Sequence, residues 1–180
     1  MDRLSDKYDF VAVIDVDEFI NLKQHYSIKE FLENYTDVHG VVLNWFIFGD
    51  SGLLKVENGN YSCIDRFVKR GTYAHGCVKT IYNLKKFHES GITFDGLVSV
   101  HGPKRFNGIK ICTPDKKVVL SEEKQLWNCH SGALSYDIAY INHYSVKTFD
   151  EFKRKRERNA TSTWWQANKH KWKNIEDFFS

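Results

Sequence analysis

Asp15-Val16-Asp17-Glu18 places three carboxylates within four positions, directly after the apolar run Phe10-Val11-Ala12-Val13-Ile14. Carboxylates this close repel one another unless a cation joins them, and hard oxygen ligands select Mg²⁺ or Mn²⁺. An apolar, β-branched run of this length reads as a strand buried on both faces. Open α/β sheets place ligands beyond the carboxyl ends of such strands. Side chains repeat every two residues along a strand, so extended backbone carried through the acids turns Asp15 and Asp17 to one side. A solvated acidic turn after a strand is the other description of the same residues, and the spacing alone leaves both open.

The elements that must position these acids are read from periodicity and caps. Ser27-Ile28-Lys29-Glu30 fits a capping box, followed by Phe31, Leu32 and Tyr35 at helical spacing. Val41–Phe48 is a second strong strand, ending in the turn-rich Gly49-Asp50-Ser51-Gly52. Short strands with Gly-containing turns are predicted at Arg66–Lys69, Val78–Tyr82, Leu97–His101, Lys110–Thr113 and Val118–Leu120, and one more at Ala139–Tyr144. Thr148-Phe149-Asp150-Glu151 is a second capping box and opens a basic helical region. The expected class is α/β, a mixed sheet with helices gathered at the chain's end.

At 180 residues the chain suits one domain with a real core, and 42% hydrophobic and 15% aromatic content exclude a disordered chain. Its apolar stretches fall far short of the roughly 20 residues that span a bilayer, and residues 1–7 lack a signal-peptide apolar segment. A cytoplasmic protein is expected. Cys63, Cys77, Cys112 and Cys129 are widely spaced with no Cys-x-x-Cys pair, so reduced thiols are expected in preference to disulfide or zinc frameworks. His75 near Cys77, and Cys129 beside His130, are discounted as ligand pairs for want of regular spacing. Residues 151–180 hold eight Lys/Arg against four Asp/Glu, which concentrates the positive charge in the tail.

Val13-Ile14-Asp15-Val16-Asp17-Glu18-Phe19 resembles the Asp-x-Asp-Glu-Phe signature of GT-A fold glycosyltransferases, nearest to the family 2-like and family 92-like branches. Trp45-Phe46-Ile47-Phe48-Gly49-Asp50-Ser51-Gly52 resembles their Trp-x-x-Phe-Gly-Ser-x-Gly loop, with Asp50 in place of the usual Ser. Val78-Lys79-Thr80-Ile81 is similar to their Val-Lys-x-Ile strand, and Val100-His101 to a later His-bearing strand. Asn142-His143-Tyr144 through Lys147 to Phe152 is similar to their His-Tyr-x-x-Lys-Ser-x-x-Glu-Phe segment. The matches run in register over about residues 10 to 155.

The resemblance implies a GT-A-like, Rossmann-related domain over residues 1–150, followed by a basic, Trp-rich segment over 151–180 packed on it. In such enzymes a nucleotide-binding first half precedes the Asp-x-Asp strand. Nine residues stand before Phe10 here, so an N-terminally truncated form is expected, the metal and acceptor half. The implied activity is transfer of a sugar, with inversion, from a nucleotide-sugar donor to a glycan or lipid-linked acceptor in surface-polysaccharide synthesis. Mn²⁺ or Mg²⁺ would stabilise the leaving diphosphate. By resemblance Asp17 binds the metal directly, Asp15 reaches the ribose or a metal-bound water, and His143 supplies a C-terminal ligand. Glu18 has a supporting role at most.

Lys79, with Arg66 or Lys147, is a candidate to neutralise phosphate, with solvated strand-edge lysines as the other description. Trp45 is a candidate to stack on an acceptor sugar, although a Trp in so apolar a strand is more often core. Gly49 and His101 complete the substrate-binding set through the loop and strand matches. An inverting transfer needs a general base, for which Asp50, Asp95 and Asp137 are candidates, Asp50 in the loop nearest the site. The tail fits either a charged helix packing its Trp and Phe residues onto the domain or a segment that contacts anionic lipid at the inner membrane face. No nucleic-acid partner is expected.

Two rivals follow from the same residues. A haloacid dehalogenase-type phosphohydrolase also begins with an apolar strand and Asp-x-Asp, but Glu18 and Phe19 depart from what that signature requires. A non-catalytic transferase remnant acting as a binding module is the other.

Overall fold

Strand β3 (Gly40–Ile47) is the axis of the sheet, and the computed structural model shows why. Six of its eight residues are buried, which its unbroken Val41-Val42-Leu43 core and Phe46 demand. One long side of β3 pairs antiparallel with β4 (His75–Asn83). The other side is shared: its first residues run parallel to β5 (Ile111–Cys112), its last to β7 (Ala139–His143). β1 (Phe10–Ala12) pairs antiparallel with β4 as an edge strand, β6 (Val118–Leu120) with β5, and β2 (Glu18–Leu22) with β7. The result is a mixed sheet, seven strands among the described residues. Those residues are 4, 6–56, 59, 62–93, 99–104, 108–124, 126 and 130–157, with side chains to 154.

Two apolar clusters cover the two faces. Phe31, Leu32, Tyr35, Val41, Leu43, Ile81 and Ile141 form one. Val42, Val78, Tyr82, Phe87, Ile109, Ile111 and Leu120 form the other. Alternation along β3 divides its valines between them, as strand geometry requires. Helix α1 (Ile28–Leu32) begins where Ser27 Oγ accepts the Glu30 amide, and it buries Phe31 and Leu32. Asn83 Oδ1 caps α3 (Leu84–Glu89) in the same way.

The chain divides into two compact units, one of Met1–Ile47 with Thr72–His143, the other of Phe48–Gly71 with Tyr144–Ser180. The whole sheet, α1 and α3 belong to the first. The second holds α2 (Cys63–Arg66) and α4 (Phe149–Glu157). At the start of α4 the capping box forms as read: Glu151 N–H donates to Thr148 Oγ1, and Thr148 N–H to Glu151 Oε2. The helix runs through residues 150 and 151. Arg66 clasps Glu151 with two bonds of 2.8 and 2.9 Å, so its charge is engaged within this unit. Burial opposes ionisation of Glu151, but the Arg66 and Thr148 hydrogen bonds outweigh it and bring its pKa down to about 2.

Several expectations need correction. The 10–20 run is not one strand buried on both faces, since Val13, Ile14 and Val16 are exposed and β1 stops at Ala12. Helices are not gathered at the chain's end, because α1, α2 and α3 fall between strands. Arg66 closes a short helix where a strand was predicted at 66–69. Of the predicted 97–101 strand, residues 97 and 98 lie outside the described set and 99–101 are irregular. Asp95, Cys129 and the tail from 158 also lie outside it. No described helix is long and apolar enough to cross a membrane.

Gly40 stands where β3 packs closely against its neighbours β4 and β5. A Cβ there would stand 2.8 Å from the Ile81 carbonyl oxygen and 3.0 Å from Ile111 Cδ1. Gly40→Ala is expected to cost about 1–3 kcal/mol, because backbone cannot yield as a side-chain tip does. A urea titration reads the loss; an unchanged midpoint would contradict the packing described.

Candidate functional site

The acids sit in a turn, for a reason local to them. The Asp15 carbonyl accepts the Glu18 N–H at 3.0 Å, and the Glu18 carboxylate reaches back to accept the Asp15 N–H at 2.9 Å. This reciprocal pair outcompetes strand pairing and reverses the chain between β1 and β2. Extended backbone therefore does not carry Asp15 and Asp17 to a common side, and their partners decide what each can do.

Asp15 and Glu18 share one cation. Lys79 Nζ stands 3.0 Å from Asp15 Oδ2 and 3.4 Å from Glu18 Oε2, its side chain only 3% exposed. It lies opposite Leu43 in the β3–β4 register, so it rises from the sheet's interior beneath the turn. Buried charge must be paired, and two carboxylates on one ammonium satisfy that. Burial pushes the Glu18 carboxyl up, while the Asp15 N–H and the Lys79 charge pull it back; it stays above the usual carboxylate range. Glu18 Oε1 is buried with no hydrogen-bond partner among the described residues, which adds to the cost of its ionised form.

Asp17 goes elsewhere. Its Oδ1 lies 3.9 Å from His143 Nε2, both side chains 13% exposed. The β2–β7 register puts Glu18 opposite His143, so the neighbouring Asp17 is delivered to the end of β7. Neighbouring ligand atoms each about 2.1 Å from one octahedral ion stand about 3.0 Å apart, so this pair would close by about 0.9 Å to share Mn²⁺ or Mg²⁺. Asp15, held by Lys79, is less available for it.

Trp45 walls the same place. Its ring lies 4.4 Å from that of His143, 5.7 Å from that of His101 and 6.5 Å from that of His75, centroid to centroid. The His101 ring is set by its Nδ1, which bonds the Val78 carbonyl at 2.8 Å. Thus Asp15, Asp17, Trp45, Lys79, His101 and His143 are drawn into one contiguous group from a turn, the later part of β3, the middle of β4, the end of β7 and the irregular segment at 99–102. Lys79 serves as counter-ion to carboxylates, which takes its charge away from the phosphate role expected of it.

Asp137 does not join them. It precedes β7 while His143 closes it, a separation of about 20 Å at the usual strand rise. There its carboxylate, 82% exposed, stands 3.6 Å from Lys23. That placement removes Asp137 as a base acting beside His143. Gly49, Asp50 and Lys147 belong to the other unit. In it Gly49 N–H donates to the Lys69 carbonyl, Asp50 Oδ1 accepts the Gly52 amide at 3.0 Å, and Ser51 Oγ accepts the Val68 and Lys69 amides. The 49–52 loop is thereby a built turn, with Ser51 and Gly52 at positive φ. Lys147 also adopts positive φ.

One group was passed over on spacing. His75, Cys77 and His130 offer ligand atoms within 4.8 Å of one another. Burial, with the neighbouring His130, lowers the pKa of His75. The His-x-Cys alternation on a strand was the available signal; the third member stands 53 residues on. No protein-family model matches this chain, and comparison with curated proteins finds no match.

Removing the Lys79 charge tests the electrostatics. Lys79→Met leaves Glu18 as a buried carboxylate without its cation and is expected to cost about 3 kcal/mol at neutral pH. The cost should shrink as pH falls from neutral toward the ordinary glutamate range near about 4.3, because Glu18, raised by burial, takes up its proton in the folded chain before it does in the unfolded one. Asp15→Asn, at an exposed partner, should cost under about 1 kcal/mol. Denaturant melts across pH read both; a Lys79→Met loss that does not vary with pH would contradict this account.

Proposed function

We propose that the chain forms the metal-binding and acceptor-facing half of a GT-A-type glycosyltransferase, acting on a nucleotide-diphosphate sugar and a glycan or lipid-linked acceptor. The observation that carries the reading is the meeting of Asp17 with His143 at 3.9 Å. These are the acid and the histidine that the resemblance assigns to one ion, brought together from 126 residues apart by strand pairing. Carboxylate and imidazole are ligands that Mn²⁺ accepts readily, and Mg²⁺ through the carboxylate.

A divalent ion held there supplies Lewis-acid stabilisation of the departing diphosphate. The protein's own contribution is positional. Asp17 and His143 bring ligands from two elements, and Trp45 holds the His143 ring by edge contact. Lys79 offsets one of the two charges of Asp15 and Glu18, so the turn does not accumulate three uncompensated carboxylates beside an anionic donor. Asp15, exposed at 63%, can still accept a hydrogen bond from a ribose hydroxyl while bound to Lys79.

Calorimetric titration with Mn²⁺ and a set of nucleoside diphosphates tests the reading. Metal-dependent nucleotide binding is expected, lost in Asp17→Ala and weakened less in Asp15→Asn. Absence of any binding favours the non-catalytic remnant, and binding indifferent to Asp17 removes the proposed site. Hydrolysis of a generic aryl phosphate, expected to be nil, would favour the phosphohydrolase reading.

A further inference from the structure

Cys77 Sγ stands 3.5 Å from His130 Nε2, where an isolated antiparallel bridge joins the two residues' backbones. His75 lies two residues earlier on β4, its Nδ1 accepting the Cys77 N–H at 3.1 Å. The sequence prepares this meeting in two ways. Gly76 leaves room: a Cβ there would come within 3.2 Å of the His130 ring. Asn44, fully buried in β3, donates to the His75 carbonyl and accepts the Ser135 N–H at 3.1 Å, which fastens the segment after His130 to the same strands.

We infer that His75, Cys77 and His130 hold one zinc-class ion, a second metal site that differs in chemistry from the Asp17–His143 pair. One sulfur and two imidazole nitrogens suit a borderline-soft, tetrahedral ion, whereas Mg²⁺ and Mn²⁺ favour oxygen. Around such an ion, neighbouring ligand atoms lie about 3.5 Å apart, the spacing Cys77 and His130 already have. His75 needs to close by only about 1 Å from the 4.8 Å limit of the group. Cys77 is buried while both histidines are exposed, so the ion enters from the histidine side. As the sulfur–metal bond forms, the Cys77 thiol gives up its proton to solvent.

A thiolate–imidazolium nucleophile is the competing use of Cys77 and His130. It leaves His75 without a task, and its sulfur would be too buried for a bulky electrophile. The metal uses all three residues. It also ties β4 to a segment far along the chain, so binding adds to stability. Through the Trp45–His75 ring stack it steadies the indole that walls the Asp17–His143 pair.

Cobalt(II) is the probe. Chelator-stripped full-length chain titrated with Co²⁺ should bind one ion with a thiolate-to-cobalt charge-transfer band and the intense visible bands of a tetrahedral site. Zn²⁺ should displace it and raise the melting temperature. Cys77→Ser and His130→Gln should each lose the thiolate band and the zinc-dependent rise. His130→Gln, an exposed position, guards against loss through misfolding, and circular dichroism checks each variant. Asp17→Ala should keep both signals, which separates this site from the one proposed above. A thiolate band that survives in His130→Gln, an octahedral spectrum, or no stoichiometric binding overturns the inference. Alkylation of Cys77 by iodoacetamide, fast in stripped wild type and slow in His130→Gln, would point instead to the nucleophile.

Discussion

A single ammonium inside the sheet decides what the acidic turn can be. Lys79 is almost wholly buried, and an unpaired charge there would cost several kcal/mol. It therefore needs Glu18, which is wholly buried as well, and it takes Asp15 at the surface. With those two carboxylates anchored on Lys79, Asp17 is the acid of the β1–β2 turn that lies against the end of β7. The hydrogen bonds between Asp15 and Glu18 fix the turn's shape; Lys79 makes that shape electrostatically tolerable. The proposed metal pair is a consequence of this division among three neighbouring carboxylates.

Local signals were the readable part. β3, β4, β6 and β7 follow from apolar and β-branched runs, and their ends fall within a few residues of the prediction. The Ser27 and Thr148 caps formed because hydroxyl, amide and glutamate lie within one turn of each other in the sequence itself. The 10–20 run misled for a related reason: a glutamate three residues after an aspartate competes for its backbone, and apolar periodicity does not register that contest. Val13, Ile14 and Val16 then fall where the chain is turning and remain exposed.

What sequence order concealed was long-range pairing. Lys79 reads equally as a phosphate partner or a solvated strand-edge lysine until β4 is placed between β1 and β3, which puts it beneath a turn 64 residues earlier. Asp137 and His143 stand six positions apart in sequence, yet β7 between them holds them at its opposite ends. His75 and Cys77 carried a ligand-like alternation, but His130 is drawn to them by an isolated bridge no spacing rule encodes. In each case the deciding quantity was strand register.

The account stands on Asp17 and His143 sharing one hard ion, which pulsed electron paramagnetic resonance of bound Mn²⁺ can observe directly. Modulation from an imidazole nitrogen is expected in the wild type and should vanish in His143→Gln while remaining in His75→Gln. A nitrogen signal unaffected by His143→Gln, or Mn²⁺ coordinated by oxygen alone, would contradict it.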